Sequence, residues 1–205
     1  VAIIGRPSAG KSTLVNTICE SKVSITSPTP QTTRNAIRGI YTDTRGQLIF
    51  TDTPGYHISE KGFNKRMQEI AVSSLEETDA VVYLIDATRS PGAEEDAISY
   101  MLSGLSVPVL CCINKKDMLT DKQLEAAREY LGKHMPGCQV LELSALEDDG
   151  IDEILIELFK CAPEGELLYD ENARTDQNLE FRISEIIREK AMNSVKEEIP
   201  HAIMV

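Results

Sequence analysis

Short apolar runs alternate with longer amphipathic stretches along most of the chain. Residues 1–4, 80–85 and 107–113 are apolar and rich in β-branched side chains, the pattern of strands covered on both faces. Residues 36–42 and 47–51 alternate in the manner of half-exposed strands. The intervening Asp43-Thr-Arg-Gly46 supplies turn chemistry, so the pair predicts a hairpin. Residues 139–143 predict a last strand. Helical spacing occupies residues 11–19, 66–77, 93–102, 121–131 and 151–161. Strands separated by helices require right-handed crossovers, and therefore a mostly parallel sheet with helices on both faces. The prediction is an α/β fold: six strands, one of them antiparallel, followed by a helical C-terminal tail.

The pattern changes after Cys161. Pro163-Glu-Gly165 breaks the helix, and residues 166–178 are polar and acidic without a strand-length apolar run, which predicts a linker. Helical spacing returns over residues 179–196, Pro200 ends it, and residues 202–205 read as a strand cut off by the chain end. One helix and one strand cannot bury a core. Residues 164–205 are therefore expected to lead into a second domain, with residues 1–163 as the first. The chain also opens at Val1 inside a strand-like run and without Met, which predicts a natural chain extending upstream.

Composition narrows the function. The chain has 205 residues, 41% hydrophobic, and a formal charge of -12 from 21 Lys and Arg against 33 Asp and Glu. That is enough apolar content for a sizeable core. The acidic balance argues against a free-standing nucleic-acid grip, which needs a dense basic surface. No apolar stretch reaches the roughly 18 residues of a membrane-spanning helix. Five cysteines without C-x-x-C spacing predict reduced, buried thiols, and His57, His134 and His201 lie too far apart for a paired metal motif.

The candidate chemistry sits after the strands. Gly5, Arg6, Pro7, Ser8, Ala9, Gly10, Lys11 and Ser12 fit G-x4-G-K-[ST] between a strand and a helix that continues with Thr13. Backbone N–H groups of such a loop, with the positive end of the helix, converge on di- or triphosphate oxygens. Lys11 is expected to span the β and γ phosphates and the Ser12 hydroxyl to ligate Mg2+. Asp52, Thr53, Pro54 and Gly55 follow the hairpin, where the aspartate can hold Mg2+ through its water shell and the Gly55 N–H can reach a γ-phosphate. Asn114, Lys115, Lys116 and Asp117 follow the buried strand ending at Ile113. A carboxylate at Asp117 can accept from guanine N1–H and N2–H2, donors that adenine lacks. Asn114 can tie this loop to the phosphate loop, and the Lys115 stem can cover a base face. Ser144 and Ala145 follow the last strand, with the Ala145 N–H available for guanine O6. Between Lys11 and Asp52, residues 27–34 form a Pro- and Thr-rich loop that could order around a γ-phosphate. Thr33 is the favoured metal ligand there, Thr32 the runner-up, and Arg34 a conceivable cation near the γ-phosphate. Lys11, Thr33 and Gly55 form the expected catalytic set.

In order, GRPSAGKST, QTTR, DTPGYH, NKKD and SAL resemble the translation-factor-related GTPases, and in detail the bacterial Era family. The tail PEGELLYDENARTDQ, SEIIREK and EEIPHAIMV is similar to the stretch that links the Era G domain to its KH domain. The resemblance implies a P-loop G domain that hydrolyses GTP to GDP with Mg2+ and acts in 30S subunit assembly. It also implies binding of 16S rRNA through the KH domain and a cytoplasmic location with some membrane association. Ser8 stands where the family usually carries the Asn associated with potassium-assisted hydrolysis, which puts K+ dependence in doubt. No two glycines here are three apart, so the KH domain's G-x-x-G is missing. Weak or no RNA binding is expected of this chain, and a monomer. Tyr56 occupies the position of the water-orienting Gln of Ras-like enzymes, so slow intrinsic turnover is expected. A guanine-nucleotide sensor with negligible hydrolysis, or another ribosome- or tRNA-related GTPase, are the alternatives.

Overall fold

A computed structural model of the chain describes residues 1–27, 32–58, 62–76 and 78–194, without the side chains of residues 62–64. The predicted sheet is present. Its strands are β1 (Ala2–Ile4), β2 (Ile37–Asp43), β3 (Gly46–Asp52), β4 (Val81–Asp86), β5 (Val109–Asn114) and β6 (Gln139–Glu142), in spatial order β2-β3-β1-β4-β5-β6. Only the β2–β3 pair is antiparallel, turned at Asp43↔Gly46, where Gly46 holds φ at 140°. All other pairings are parallel.

Alternation along the central strands divides the core in two. Ile3, Val82, Leu84 and Cys112 face α1 (Lys11–Ile18) and α5 (Ile151–Cys161), packing on Leu14, Val15, Ile154, Leu155 and Leu158. Ala2, Ile4, Val81, Tyr83, Ile85, Cys111 and Ile113 face the other way. There they meet Leu75 of α2 (Gly62–Glu76), Ile98 and Leu102 of α3 (Ala93–Ser103), and Ala127 and Leu131 of α4 (Asp121–His134). Burial on both faces explains why these strands read as continuous apolar runs. The parallel strands end together, at Ile4, Asp52, Asp86 and Asn114, so the loops carrying the candidate motifs meet at one sheet edge.

Three expectations change. α2 starts at Gly62 rather than residue 66, since its first turn carries no apolar periodicity to announce it. Cys138 is half-buried and Cys161 exposed, so only Cys19, Cys111 and Cys112 are the buried thiols expected. The stretch after Pro163 is not a loose linker in form. Thr175 bridges Gly39 on edge strand β2, Ile40 N–H donates to the Arg174 carbonyl at 2.9 Å, and Gln47 Oε1 accepts from Leu168 and Tyr169 N–H. This segment caps an otherwise open sheet edge and leads into α6 (Leu179–Ser194). The expected continuation of that helix through residue 196, Pro200 and the strand at 202–205 lie outside the described residues, as do residues 28–31 of the Pro/Thr loop.

Candidate nucleotide-binding site

The site begins with a helix terminus left open. α3, α4, α5 and α6 each carry an acidic residue in the first turn, and α4 is closed by a Thr120–Gln123 capping box. α1 has no acid there, and its N-cap is Gly10, at φ 99° and with no side chain to cap. Its first N–H groups are thus left for an outside anion. A glycine is required at 10 for a second reason. A Cβ would stand 2.2 Å from Asn114 Nδ2. At Gly5 a Cβ would stand 2.3 Å from the Leu84 carbonyl oxygen.

A cavity of about 340 Å³ lies over this terminus, lined by Pro7, Ser8, Gly10, Lys11, Ser12 and Thr13, by Ile25, Thr26, Ser27, Thr32 and Thr33, and by Gly55 and Lys115. Lys11 is buried and its Nζ donates to the Gly5 and Arg6 carbonyls, each at 3.0 Å. Burial pulls its pKa down to about 8, against the opposing pull of Asp52. An ammonium held only by carbonyls in a cavity is a receptor for anionic oxygen.

Beside it the Ser12 and Thr33 hydroxyls are 2.9 Å apart, and Thr33 Oγ1 lies 3.4 Å from Asp52 Oδ2. Asp52 is fully buried; burial pushes its carboxyl up, while the Ser12 hydroxyl and Lys11 pull it down. Its Oδ1 has no hydrogen-bond partner among the described residues. Two hydroxyls and an unpartnered buried carboxylate oxygen form an oxygen donor set suited to a hard cation, so the residues present fit magnesium. Thr33 is the threonine whose hydroxyl meets Ser12 and Asp52; Thr32 also lines the cavity, and its carbonyl accepts from Arg188 at 2.8 Å.

Gly55 packs on the phosphate loop so closely that a Cβ would lie 2.6 Å from Pro7 Cα. Tyr56 N–H donates to the Gly5 carbonyl at 3.1 Å, and the buried phenol accepts from Gln68 Nε2 at 2.9 Å. The phenol is therefore turned into the α2 side and not into the cavity. Thr53 is likewise spent on structure, donating to the Ile3 carbonyl at 2.7 Å, and Pro54 follows it, buried, in the chain leading to Gly55.

On the other flank, Asn114 Nδ2 donates to the Ala9 carbonyl at 2.8 Å while its Oδ1 accepts from Ala145 N–H at 3.0 Å. One side chain thus ties three motif loops together. The Ala145 N–H already has this acceptor, so donation to a guanine O6 would be shared. Asp117 is exposed and accepts from Ser144 Oγ at 2.5 Å, which orients its carboxylate. Lys115, at φ 66°, lays its stem along the cavity and ends on Asp86 Oδ2 at 2.7 Å. Lys116 turns away to Asp149 at 3.0 Å. Arg6 also points away, into a buried pair with Glu95 at 2.8 Å.

Arg34 lies against Glu185 and Arg188 of α6 and is not part of the cavity lining. Motif reading missed Ile25 and Thr26 in the lining, next to the expected loop residue Ser27, and Glu94, which pairs with His57. It missed Asp86 too. That buried carboxylate accepts from Lys115, from Thr88 N–H and Oγ1, and meets Arg89, which donates to the Pro7 carbonyl. An aspartate ending an apolar strand was the only signal for it.

The family described as 50S ribosome-binding GTPase matches residues 1–115. GTPase Era of Treponema denticola is 53% identical over 205 residues, which cover 99% of this chain and 70% of that protein. GTPase Era of Borreliella burgdorferi strain B31 is 43% identical, covering 100% of this chain and 70% of its own. The crystal structure of Era with MgGDPNP and nucleotides 1506–1542 of 16S ribosomal RNA superposes with a TM-score of 0.92 at 38% identity, over 98% of this chain and 68% of that one. A variant of Aquifex aeolicus Era bound to GDP·AlF4− gives 0.90 at 38% identity, over 97% and 68%.

Proposed function

This chain belongs to the Era family of GTPases, and on that premise we propose that residues 5–13, Thr33, residues 52–56, residues 114–117, Ser144 and Ala145 form its GTP site. The chain is a GTPase that acts in ribosome assembly, with GTP, GDP and Mg2+ as its ligands. In this reading the phosphate-loop N–H groups and the open end of α1 bind β- and γ-phosphate oxygens, and Lys11 leaves its two carbonyls for them. Ser12, Thr33 and Asp52 would hold the magnesium, which when bound bridges β and γ oxygens and draws off developing charge. Gly55 presents its N–H to the γ-phosphate, and Asp117, aligned by Ser144, selects guanine.

The observation that carries this reading is the convergence of Ser12, Thr33 and the unpartnered Asp52 oxygen beside an anion-seeking Lys11. The Tyr56 phenol, held by Gln68, does not take the place of a water-orienting Gln. Unassisted turnover then belongs in the range of about 10^-4 to 10^-2 per second. The deciding experiment is nucleotide competition with GTP, ATP and XTP, repeated for Asp117→Asn. Exchange of guanine for xanthine preference is expected, because an amide can pair with a C2 carbonyl. Unchanged base preference removes Asp117 from its role.

Residues 1–163 act in this reading as the G domain and residues 164–205 as a linker and the start of a KH-type domain. Leu179, Ile183, Ile186 and Ile187 support this: they form an exposed apolar stripe at helical spacing on α6, a face that a second core would cover. The partner is 16S rRNA in the 30S subunit, reached through that second domain, as the Era–16S likeness supports. The formal charge of -12 makes this chain itself a weak RNA binder. No helix of the described residues is long and apolar enough to cross a membrane. A cytoplasmic monomer with peripheral contact to the inner membrane face completes the proposal, resting on the family likeness.

A further inference from the structure

α6 buries two adjacent charges and exposes its isoleucines. Arg188 and Glu189 are 3% and 2% exposed, whereas Ile186 and Ile187 beside them are 43% and 50% exposed. Charged side chains are desolvated at such cost only where they meet partners. Here the partners lie in the Pro/Thr loop and the residues just before it. Glu189 Oε1 accepts the Thr26 N–H at 2.9 Å, and its other oxygen pairs with Lys22. Asn193 Oδ1 accepts from Ser27 Oγ at 2.8 Å. Arg188 Nη2 donates to the Thr32 carbonyl at 2.8 Å, and Glu185 aligns the guanidinium through bonds of 2.8 and 2.6 Å. One helix thus grips both flanks of the loop, at Thr26 and Ser27 before it and at Thr32 after it. The Thr32 carbonyl is one peptide from Thr33, whose hydroxyl rests 2.9 Å from Ser12.

We infer that Arg188 and Glu189 are positioning residues for Thr33, so that docking of α6 and binding of Mg2+ with a γ-phosphate favour one another. The inference rests on the reading of Thr33 as a metal ligand. It follows from linkage: a loop geometry that α6 stabilises, and that only a triphosphate uses, couples the two events in both directions. GDP makes no demand on Thr33, so the coupling is selective for the triphosphate. A merely structural role for the two residues would weaken GDP and GTP binding alike.

The test is the affinity of the protein for Mg2+ with GDP and with a non-hydrolysable GTP analogue, in Arg188→Met, Glu189→Gln and Thr33→Ala. Loss of one charged hydrogen bond to the loop predicts analogue affinity weaker by about tenfold in Arg188→Met and by several-fold in Glu189→Gln. GDP affinity stays within about twofold in both, and Thr33→Ala gives the same selective loss. If Thr33→Ala leaves the analogue-to-GDP ratio unchanged, the reading of the metal site is wrong. If Thr33→Ala shifts the ratio and neither α6 variant does, the positioning inference alone is overturned. Should an α6 variant lose GDP as well, amide hydrogen exchange on the unaltered protein decides. Slower exchange of Thr26, Ser27 and α6 amides with the Mg2+–analogue than with Mg2+–GDP supports the coupling, and equal exchange refutes it.

Discussion

Gly55 and Asn114 are two residues on whose exact shape the site depends. A Cβ at Gly55 would lie 2.6 and 2.7 Å from Pro7 Cα and N, backbone atoms that cannot swing aside. Gly55→Ala is therefore expected to part the Asp52 loop from the phosphate loop. Single-turnover GTP hydrolysis should fall by about tenfold or more, with GDP affinity within about threefold, since GDP does not use the Gly55 N–H. Asn114 works differently. Its amide satisfies the Ala9 carbonyl and the Ala145 N–H, both in the interior of the site. Asn114→Ala leaves both groups unpaired, a loss of about 2–4 kcal/mol, which thermal denaturation should read as a Tm lower by roughly 5–15 °C. GTP and GDP affinity should drop together, because Asn114 joins base and phosphate loops rather than serving one phosphate. A loss confined to GTP would contradict this.

At the scale of elements, the starts of α4 and α1 differ: one is closed by side chains, the other ends on a glycine. Thr120 and Gln123 close the start of α4 reciprocally, the Thr120 N–H donating to Gln123 Oε1 at 3.0 Å. Thr120→Ala should cost about 1 kcal/mol in urea unfolding and leave nucleotide affinity untouched. α1 offers no such substitution, because its N-cap is Gly10 and carries no side-chain cap. Strand ends matter as much. Asp86 ends β4, and although burial pushes its carboxyl up, Lys115 and Thr88 outweigh burial and hold it below the ordinary value of 3.8. A depressed carboxylate contributes stability that is present above pH 3.8 and lost as pH falls through its lower folded value. Asp86→Asn should accordingly flatten the acid limb of the stability–pH curve below about pH 4.

These elements also show what the sequence could announce. Strands β1, β4 and β5 were legible because burial on both faces leaves unbroken apolar runs, and the motif loops were legible because glycine and aspartate at fixed offsets have few other uses. Docking of α6 was not. Nothing local marks Arg188 and Glu189, since their partners Thr32, Thr26 and Lys22 lie more than a hundred positions away. Arg6 misled in the opposite sense. It stands inside the phosphate motif, yet its guanidinium belongs to the pair with Glu95.

For the whole molecule, the arrangement proposed to receive magnesium weakens the empty protein. Asp52 is fully buried with one oxygen unpartnered, in a chain that already carries a formal charge of -12. A buried carboxylate oxygen without a hydrogen bond costs free energy that a cation at the site would remove. Stability and function therefore pull against each other at this position. Asp52→Asn should make the nucleotide-free protein more stable by about 1–3 kcal/mol while abolishing the gain that magnesium adds with a GTP analogue. In the unaltered protein, Mg2+ and the analogue at a hundred times their Kd should contribute about 2.7 kcal/mol, and EDTA should withdraw most of it. Thermal shifts on the two proteins, each with nucleotide alone, with Mg2+ and with EDTA, read both terms at once. An Asp52→Asn protein that is less stable when empty, or that keeps its full response to magnesium, would mean that the carboxylate is held for packing and that the cation is bound elsewhere.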